Sequence, residues 1–197
     1  MSAASADLLA AASAGDADAV RAALAAGADI EARGRGGMTP LITATKANNV
    51  EAARALIDAG ADVNAKDDIQ DSAYLYAGAR GHDEILRLTL DHGADLKSVN
   101  RFGGTALIPA SERGLIPTIE ILLEAGVDPN HINRLHWTAL HEAIELGDGS
   151  DHYAEVVRVL IEGGSDLSIR DGNGDLPREM AAQRGYRNIV AVIDAAG

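Results

Sequence analysis

Gly60-Ala61-Asp62-Val63-Asn64-Ala65-Lys66-Asp67-Asp68, closed four residues later by Ser72-Ala73, is the segment from which the organisation of the chain can be worked out. Its glycine suits the end of one helix, its middle is extended and rich in turn formers, and its serine suits the start of the next helix. Gly-Ala-Asp begins at Gly27, Gly60 and Gly93, with Gly-Val-Asp at Gly126, each step being 33 residues. A second marker keeps the same period: Thr39, Ser72, Thr105 and Thr138, followed by Pro40, Ala73, Ala106 and Ala139. Self-similarity at such a period is the mark of a stacked-repeat architecture.

Both markers then lengthen together. Thr138 is followed by Leu176 and Gly126 by Gly164, steps of 38, so a five-residue insertion lies between Thr138 and Gly164. Gly147-Asp-Gly-Ser-Asp-His-Tyr153 is its natural carrier, and counting backward places the opening of a divergent first repeat at Ala6. The whole of 1–197 reads as one domain of six repeats, approximately 4–37, 38–70, 71–103, 104–136, 137–174 and 175–197.

Each repeat reads as two short helices. Thr39, Ser72, Thr105 and Thr138 are N-cap residues, and Pro40 and Pro177 take the first helical position. Gly81, Gly114, Gly147 and Gly185, with Asn48 as substitute, are expected to end the first helix in a left-handed conformation. The second helix carries an apolar face: Val20 and Leu24; Ala53, Leu56 and Ile57; Leu86 and Leu90; Ile119, Leu122 and Leu123; Val157, Leu160 and Ile161. No such pair buries its apolar face alone, so neighbours must stack, and the outermost pairs should present polar caps. Asp7, Asp16, Asp18 and Arg21 at one end fit that need, as do Arg178, Gln183, Arg187 and Asn188 at the other.

Composition narrows the function classes. Hydrophobic residues make up 47% and aromatics 3%, so the core must be built from Ala, Leu, Ile and Val between closely packed helices. A net charge of -13 disfavours nucleic acids and anionic membranes as partners. With no cysteine there is no disulfide, thiolate metal site or cysteine nucleophile. The first residues lack the basic and apolar regions of a signal peptide, and no apolar run is long enough for a membrane span, so the expected compartment is the cytoplasm.

The period and the Thr-Pro-Leu and Gly-Ala-Asp markers resemble the ankyrin repeat family over roughly Ala4 to the C-terminus, with a look closest to bacterial members. The resemblance implies an all-α solenoid of six stacked helix pairs with turn-rich hairpin loops, and a module that binds a protein without catalysis or cofactor. The family's opening histidine appears only at His141, with Ile42, Leu75 and Ile108 elsewhere; Leu176 loses a cap, and Pro109 should deform helix entry in repeat four.

Carried over by position, the resemblance implies partner contacts at the turn tips: Arg35, Met38, Ile69, Arg101, Phe102, Arg134, Leu135 and Trp137. It implies further contacts on the first helices, at Tyr76, Arg80, Glu112, Arg113 and Glu142. Phe102 and Trp137 are the only Phe and Trp of the chain and both fall at tips of neighbouring repeats, beside Arg101, Arg134 and Leu135. Aromatic and arginine side chains are the usual anchors of interfaces, which centres the expected patch on repeats three to five. The competing reading is that both rings shield the neighbouring turns. The expected partner is a protein, bound by a monomer; a structural role in an oligomer is the further alternative.

Chemistry finds little support. Asp171-Gly-Asn-Gly-Asp175 opens like a calcium loop, but Leu176 and Ala182 stand where the glycine and glutamate are required. The alternative function is a metal-dependent or enzymatic protein using the 147–153 insertion, with His136, His141 and His152. Glu112 and Glu142 read as solvated carboxylates rather than an acid/base pair, and His82 and His92 as structural. There is no phosphate-binding loop and no nucleophile elbow.

Overall fold

The computed structural model describes residues 1–197 as an all-helical chain of twelve α-helices and one short 3-10 turn, without strands. It divides into two compact units, Met1–Asp95 and Leu96–Gly197, each holding three helix pairs.

The first unit comprises α1 (Ala3–Ala14), α2 (Ala17–Ala25), α3 (Pro40–Lys46), α4 (Val50–Asp58), α5 (Ala73–Arg80) and α6 (Asp83–Asp91). First helices pack on first helices, α1 on α3 and α3 on α5, and second on second, α2 on α4 and α4 on α6. Leu8, Val20, Leu41, Leu56, Tyr74, Ile85 and Leu86 are fully buried, with Ala12, Ala44, Ala52, Ala53 and Ala77 between them. Each buried leucine-sized side chain contributes about 2 kcal/mol, and the alanines let the helices approach closely. Within the apolar faces expected for the second helices, the shallower members Leu24 and Leu90 stay half-buried.

The first helix begins at Ala3, ahead of Ala6, because the Ser2 hydroxyl accepts the Ser5 N–H at 3.1 Å and the alanine-rich stretch extends the helix by a turn. The other expected caps of this unit form: Thr39 accepts from Ile42 and Ser72 from Leu75, both at 3.1 Å.

The second unit comprises α7 (Leu107–Glu112), α8 (Ile116–Glu124), α9 (Ala139–Leu146), α10 (Asp151–Glu162), α11 (Pro177–Gln183) and α12 (Arg187–Ala196). Again first helices stack on first, α7 on α9 and α9 on α11, and second on second, α8 on α10 and α10 on α12. Its core is Leu107, Ile119, Leu122, Leu140, Ile144, Val157, Leu160 and Ile189. Residues expected at the outer ends of the two units, Asp7, Asp16, Asp18 and Arg21 in the first and Arg178, Gln183 and Arg187 in the second, are exposed, and Asn188 is partly so.

Helix entry at α7 departs from expectation at Thr105. Elsewhere the residue four beyond the cap donates to the cap carbonyl, as Thr43 does to Thr39 and Glu142 to Thr138. Here that residue is Pro109, which has no N–H, and the Ile108 N–H closes on the Thr105 carbonyl instead, at 3.2 Å. The Thr105 hydroxyl therefore caps nothing and is buried without a partner, and α7 is the shortest of the helices.

The insertion lengthens α10 to 12 residues, against 9 in α4, α6 and α8. Asn48, Gly81, Gly114 and Gly185 adopt the expected left-handed conformation, but Gly147 is extended, at φ -71° and ψ 166°. Glycine serves close approach there: a side chain at 147 would overlap the Tyr153 ring and the Ala143 carbonyl. Tyr153 donates to Glu112 O at 2.6 Å, and Asn188 to Gly149 O at 3.0 Å, so the insertion is fastened to the pairs on either side of it.

Candidate functional site

The tips owe their form to one recurring side-chain oxygen. Asn133 Oδ1 accepts the N–H groups of Leu135 at 2.9 Å and Trp137 at 3.1 Å. Asn100 does the same for Phe102 and Gly104, Asp67 for Ile69 and Asp71, and Asp171 for Asn173 and Asp175. These are Asx turns, in which a short side chain replaces a missing backbone acceptor and holds the tip in one conformation. For Asp171 they also explain the calcium-like spacing. The sequence reading did not single out Asn100 and Asn133, although 67, 100 and 133 keep the 33-residue step.

In the second unit the tips leading into α7 and α9 are joined by a backbone bond from Arg134 N–H to Phe102 O at 3.1 Å. Phe102 and Leu135 are each 55% exposed, and Ile132, which the sequence reading passed over, is 47% exposed. The Arg101 guanidinium lies 4.6 Å from the centre of the Phe102 ring, and Arg134 Nη1 donates to Arg101 O at 2.7 Å. Trp137 is half-buried, so the two residues differ: Phe102 is the more exposed.

On the first helices of this unit, Glu112 is half-buried and Arg113 exposed, but Glu142 is 5% exposed. Reading Glu142 as a solvated carboxylate is therefore corrected. Burial pushes its carboxyl up to about 7, the nearby Glu112 charge adds to this, and a 2.8 Å bond from Asn133 Nδ2 opposes it. Asn133 thus has both ends engaged, its oxygen by the tip and its amino group by α9. Its neighbour His141 is fully buried, with Nδ1 accepting Thr138 N–H at 3.0 Å and Nε2 lying 3.0 Å from Ile169 O. Burial holds the imidazole below its usual range, against the Ile169 bond and the Asp171 charge.

In the first unit Arg35 and Ile69 are exposed at tips and Met38 is half-buried. Tyr76 on α5 lies between two cations, with Lys46 Nζ at 5.3 Å and the Arg80 guanidinium at 5.6 Å from the ring centre. Lys46 is bound to Asp67 at 2.7 Å and Asp71 at 3.4 Å. Burial would lower the lysine, but these two carboxylates outweigh it and hold it raised.

The histidines of the alternative metal site are engaged separately. His141 is bonded at both ring nitrogens as described, and His152 Nε2 lies 2.7 Å from Gly114 O. His136 is an exposed tip residue with φ 61°. No group of three His, Asp or Glu side chains stands close enough to hold a metal ion.

Helix pairs stacked first on first and second on second, joined by turns that project a row of side chains, define a helical repeat protein of the solenoid class. The chain belongs to the ankyrin repeat family: the model for ankyrin repeats, three copies long, matches residues 7–67, 73–171 and 110–193. It is similar to the crystal structure of an ankyrin repeat domain from Acinetobacter baumannii AYE, at 52% identity and a TM-score of 0.93, over 96% of this chain and 97% of that one. The ankyrin repeat protein EF0377 follows at 41% identity and 0.92, with the same coverage. The ankyrin repeat domain of Bcl-3, a member of the IkappaB family, is 27% identical, with a TM-score of 0.84 over 95% of this chain and 81% of that one. Forty residues are 70% identical to part of a protein of Leifsonia xyli subsp. xyli named as an ankyrin-containing lipoprotein, a match that spans 16% of its length. No helix of this chain is long and apolar enough to cross a membrane.

Proposed function

We propose that the chain is a non-catalytic protein-binding domain whose principal contact is the tip patch of its second unit. The observation that supports this is the group of exposed apolar side chains Phe102, Ile132 and Leu135 beside Arg101 and Arg134. Exposed apolar side chains clustered with arginine mark contact surfaces more often than solvent faces. The Asx turns hold these side chains in place before binding, so little conformational entropy is lost on docking. Arg35, Met38, Ile69, Tyr76 and Arg80 of the first unit, and Trp137, Glu112 and Arg113 of the second, are subsidiary contacts in this reading. Glu142 contributes through Asn133, since its own side chain is buried. The domain acts as a monomer over 1–197, in the cytoplasm; the lipoprotein relative represents the alternative, an envelope location.

The test is capture of native partners by the tagged domain and by its Phe102→Ala/Leu135→Ala variant, with mass spectrometry of what is retained. Loss of a specific partner with an unchanged melting temperature supports the reading. Retention of every partner by the folded variant removes this patch.

A further inference from the structure

We infer that the tip patch of the second unit recognises an acidic protein segment in which an apolar side chain is flanked by carboxylates; this rests on the protein-binding reading above. Four arginines of that unit already have carboxylate partners: Arg158 with Glu155, Arg170 with Glu179, Arg178 with Asp194 and Arg184 with Glu145. Arg101, Arg134 and Arg187 have none, and of these Arg101 and Arg134 stand beside exposed apolar side chains. Arg101 lies over the Phe102 ring, and Arg134 gives one N–H to a backbone carbonyl. In a chain of net charge -13, two cations beside exposed apolar groups and without carboxylate partners form a local exception. A partner's carboxylates supply what the patch lacks, and its apolar side chain covers Phe102 and Leu135.

The position of Arg134 is built rather than incidental. Its backbone N–H is bonded to Phe102 O, its guanidinium to Arg101 O, and its stem crosses Gly103, where a Cβ would come within 2.9 Å of Arg134 Cγ. Gly103, at φ +75°, thus leaves room for the arginine and adopts a backbone conformation that other residues rarely hold. The guanidinium is held in place with N–H groups left for a carboxylate, so binding it costs little rotamer freedom. An extended polyanion such as single-stranded nucleic acid meets the net negative charge of the rest of the chain, which favours a short acidic protein segment instead.

The probes are three fluorescein-labelled hexapeptides: Glu-Asp-Leu-Trp-Glu-Asp, its neutral analogue Gln-Asn-Leu-Trp-Gln-Asn, and Glu-Asp-Gly-Ser-Glu-Asp, which lacks the apolar pair. A labelled twelve-nucleotide single strand is the fourth. Anisotropy titrations with the whole chain should show the first binding about tenfold or more tighter than the others, weakening as salt rises, with amide shifts at Gly103 and Leu135. Arg101→Gln should weaken it by about tenfold while Arg101→Lys restores much of the loss. Arg101 makes no structural hydrogen bond through its side chain, so this pair does not depend on refolding of the tip. Equal binding of the neutral peptide, preference for the nucleic acid, no effect of Arg101→Gln, or no binding of the acidic peptide overturns the inference. If the inference fails while Phe102→Ala/Leu135→Ala still loses its native partner, the protein-binding reading stands and only the acidic recognition falls.

Discussion

The side-chain amide of Asn130 accepts the backbone N–H of Asp166 at 2.8 Å and donates to the carbonyl of Gly164 at 3.0 Å. Asn64 makes the same two bonds in the first unit, to Asp95 at 2.9 Å and Gly93 at 3.0 Å. At the corresponding place Glu31 supplies only the acceptor half, taking the Asp62 N–H at 2.8 Å. A single amide thereby joins the end of one repeat to the end of the next.

Asn130→Ala should destabilise the protein by about 1–2 kcal/mol, since two hydrogen bonds are lost and Gly164 O and Asp166 N are left to water. Asn130→Asp should fall between, because it keeps the acceptor and sets a carboxylate against a carbonyl. Urea denaturation of the three proteins measures both.

Thr105 and Thr138 occupy equivalent positions and should respond differently to valine. The Thr138 hydroxyl accepts from His141 N–H, so Thr138→Val should cost about 1 kcal/mol. The Thr105 hydroxyl is buried without a partner, so Thr105→Val should be neutral or stabilise by up to about 1 kcal/mol. Equal losses in a thermal melt would show that α7 is capped in the ordinary way.

Tyr74 stands where Leu41, Leu107 and Leu140 stand in other repeats, and it is fully buried with no partner for its hydroxyl. Tyr74→Phe keeps the ring and removes the unpaired oxygen, and should stabilise by about 1 kcal/mol. The shift in denaturation midpoint reads this directly.

Glu142 predicts a pH dependence of definite sign. Its carboxyl titrates at about 7 in the folded chain and near the ordinary glutamate value when unfolded, so between those values the folded state binds more protons. Stability should therefore fall as pH rises from about 5 to 8, by roughly 1–2 kcal/mol after allowance for screening. Glu142→Gln keeps an acceptor for Asn133 and should flatten this part of the profile while stabilising at pH 8. His141 acts oppositely lower down: its neutral form is favoured on folding, so its contribution is lost as pH falls below the unfolded histidine value. Unfolding free energies at pH 5.5, 7 and 8 distinguish the variant from its parent.

Much of the site was within reach of the sequence. The family resemblance implies tip positions for Phe102, Arg101, Arg134 and Leu135, and the structure finds all four exposed. Ile132 and the turn-forming Asn100 and Asn133 were missed, although the latter two follow the period. Trp137 and Glu142 show the limit of counting: Trp137 at its tip is half-buried, and Glu142 is buried beside Asn133 of the turn before its helix.

The sequence alone determined where each helix pair lies, because a 33-residue period repeats the same caps, apolar stripes and glycine stops, and these act within a few residues of themselves. It also set the consequence of Pro109, since a missing N–H is a local fact. Only the tertiary structure decided that Glu142 is buried against Asn133, that Gly147 makes room for Tyr153, and that Arg134 is laid across Gly103. The first and the last bring together atoms of neighbouring repeats and the second closes the insertion on itself, and burial and close approach are properties of that assembly rather than of any one residue.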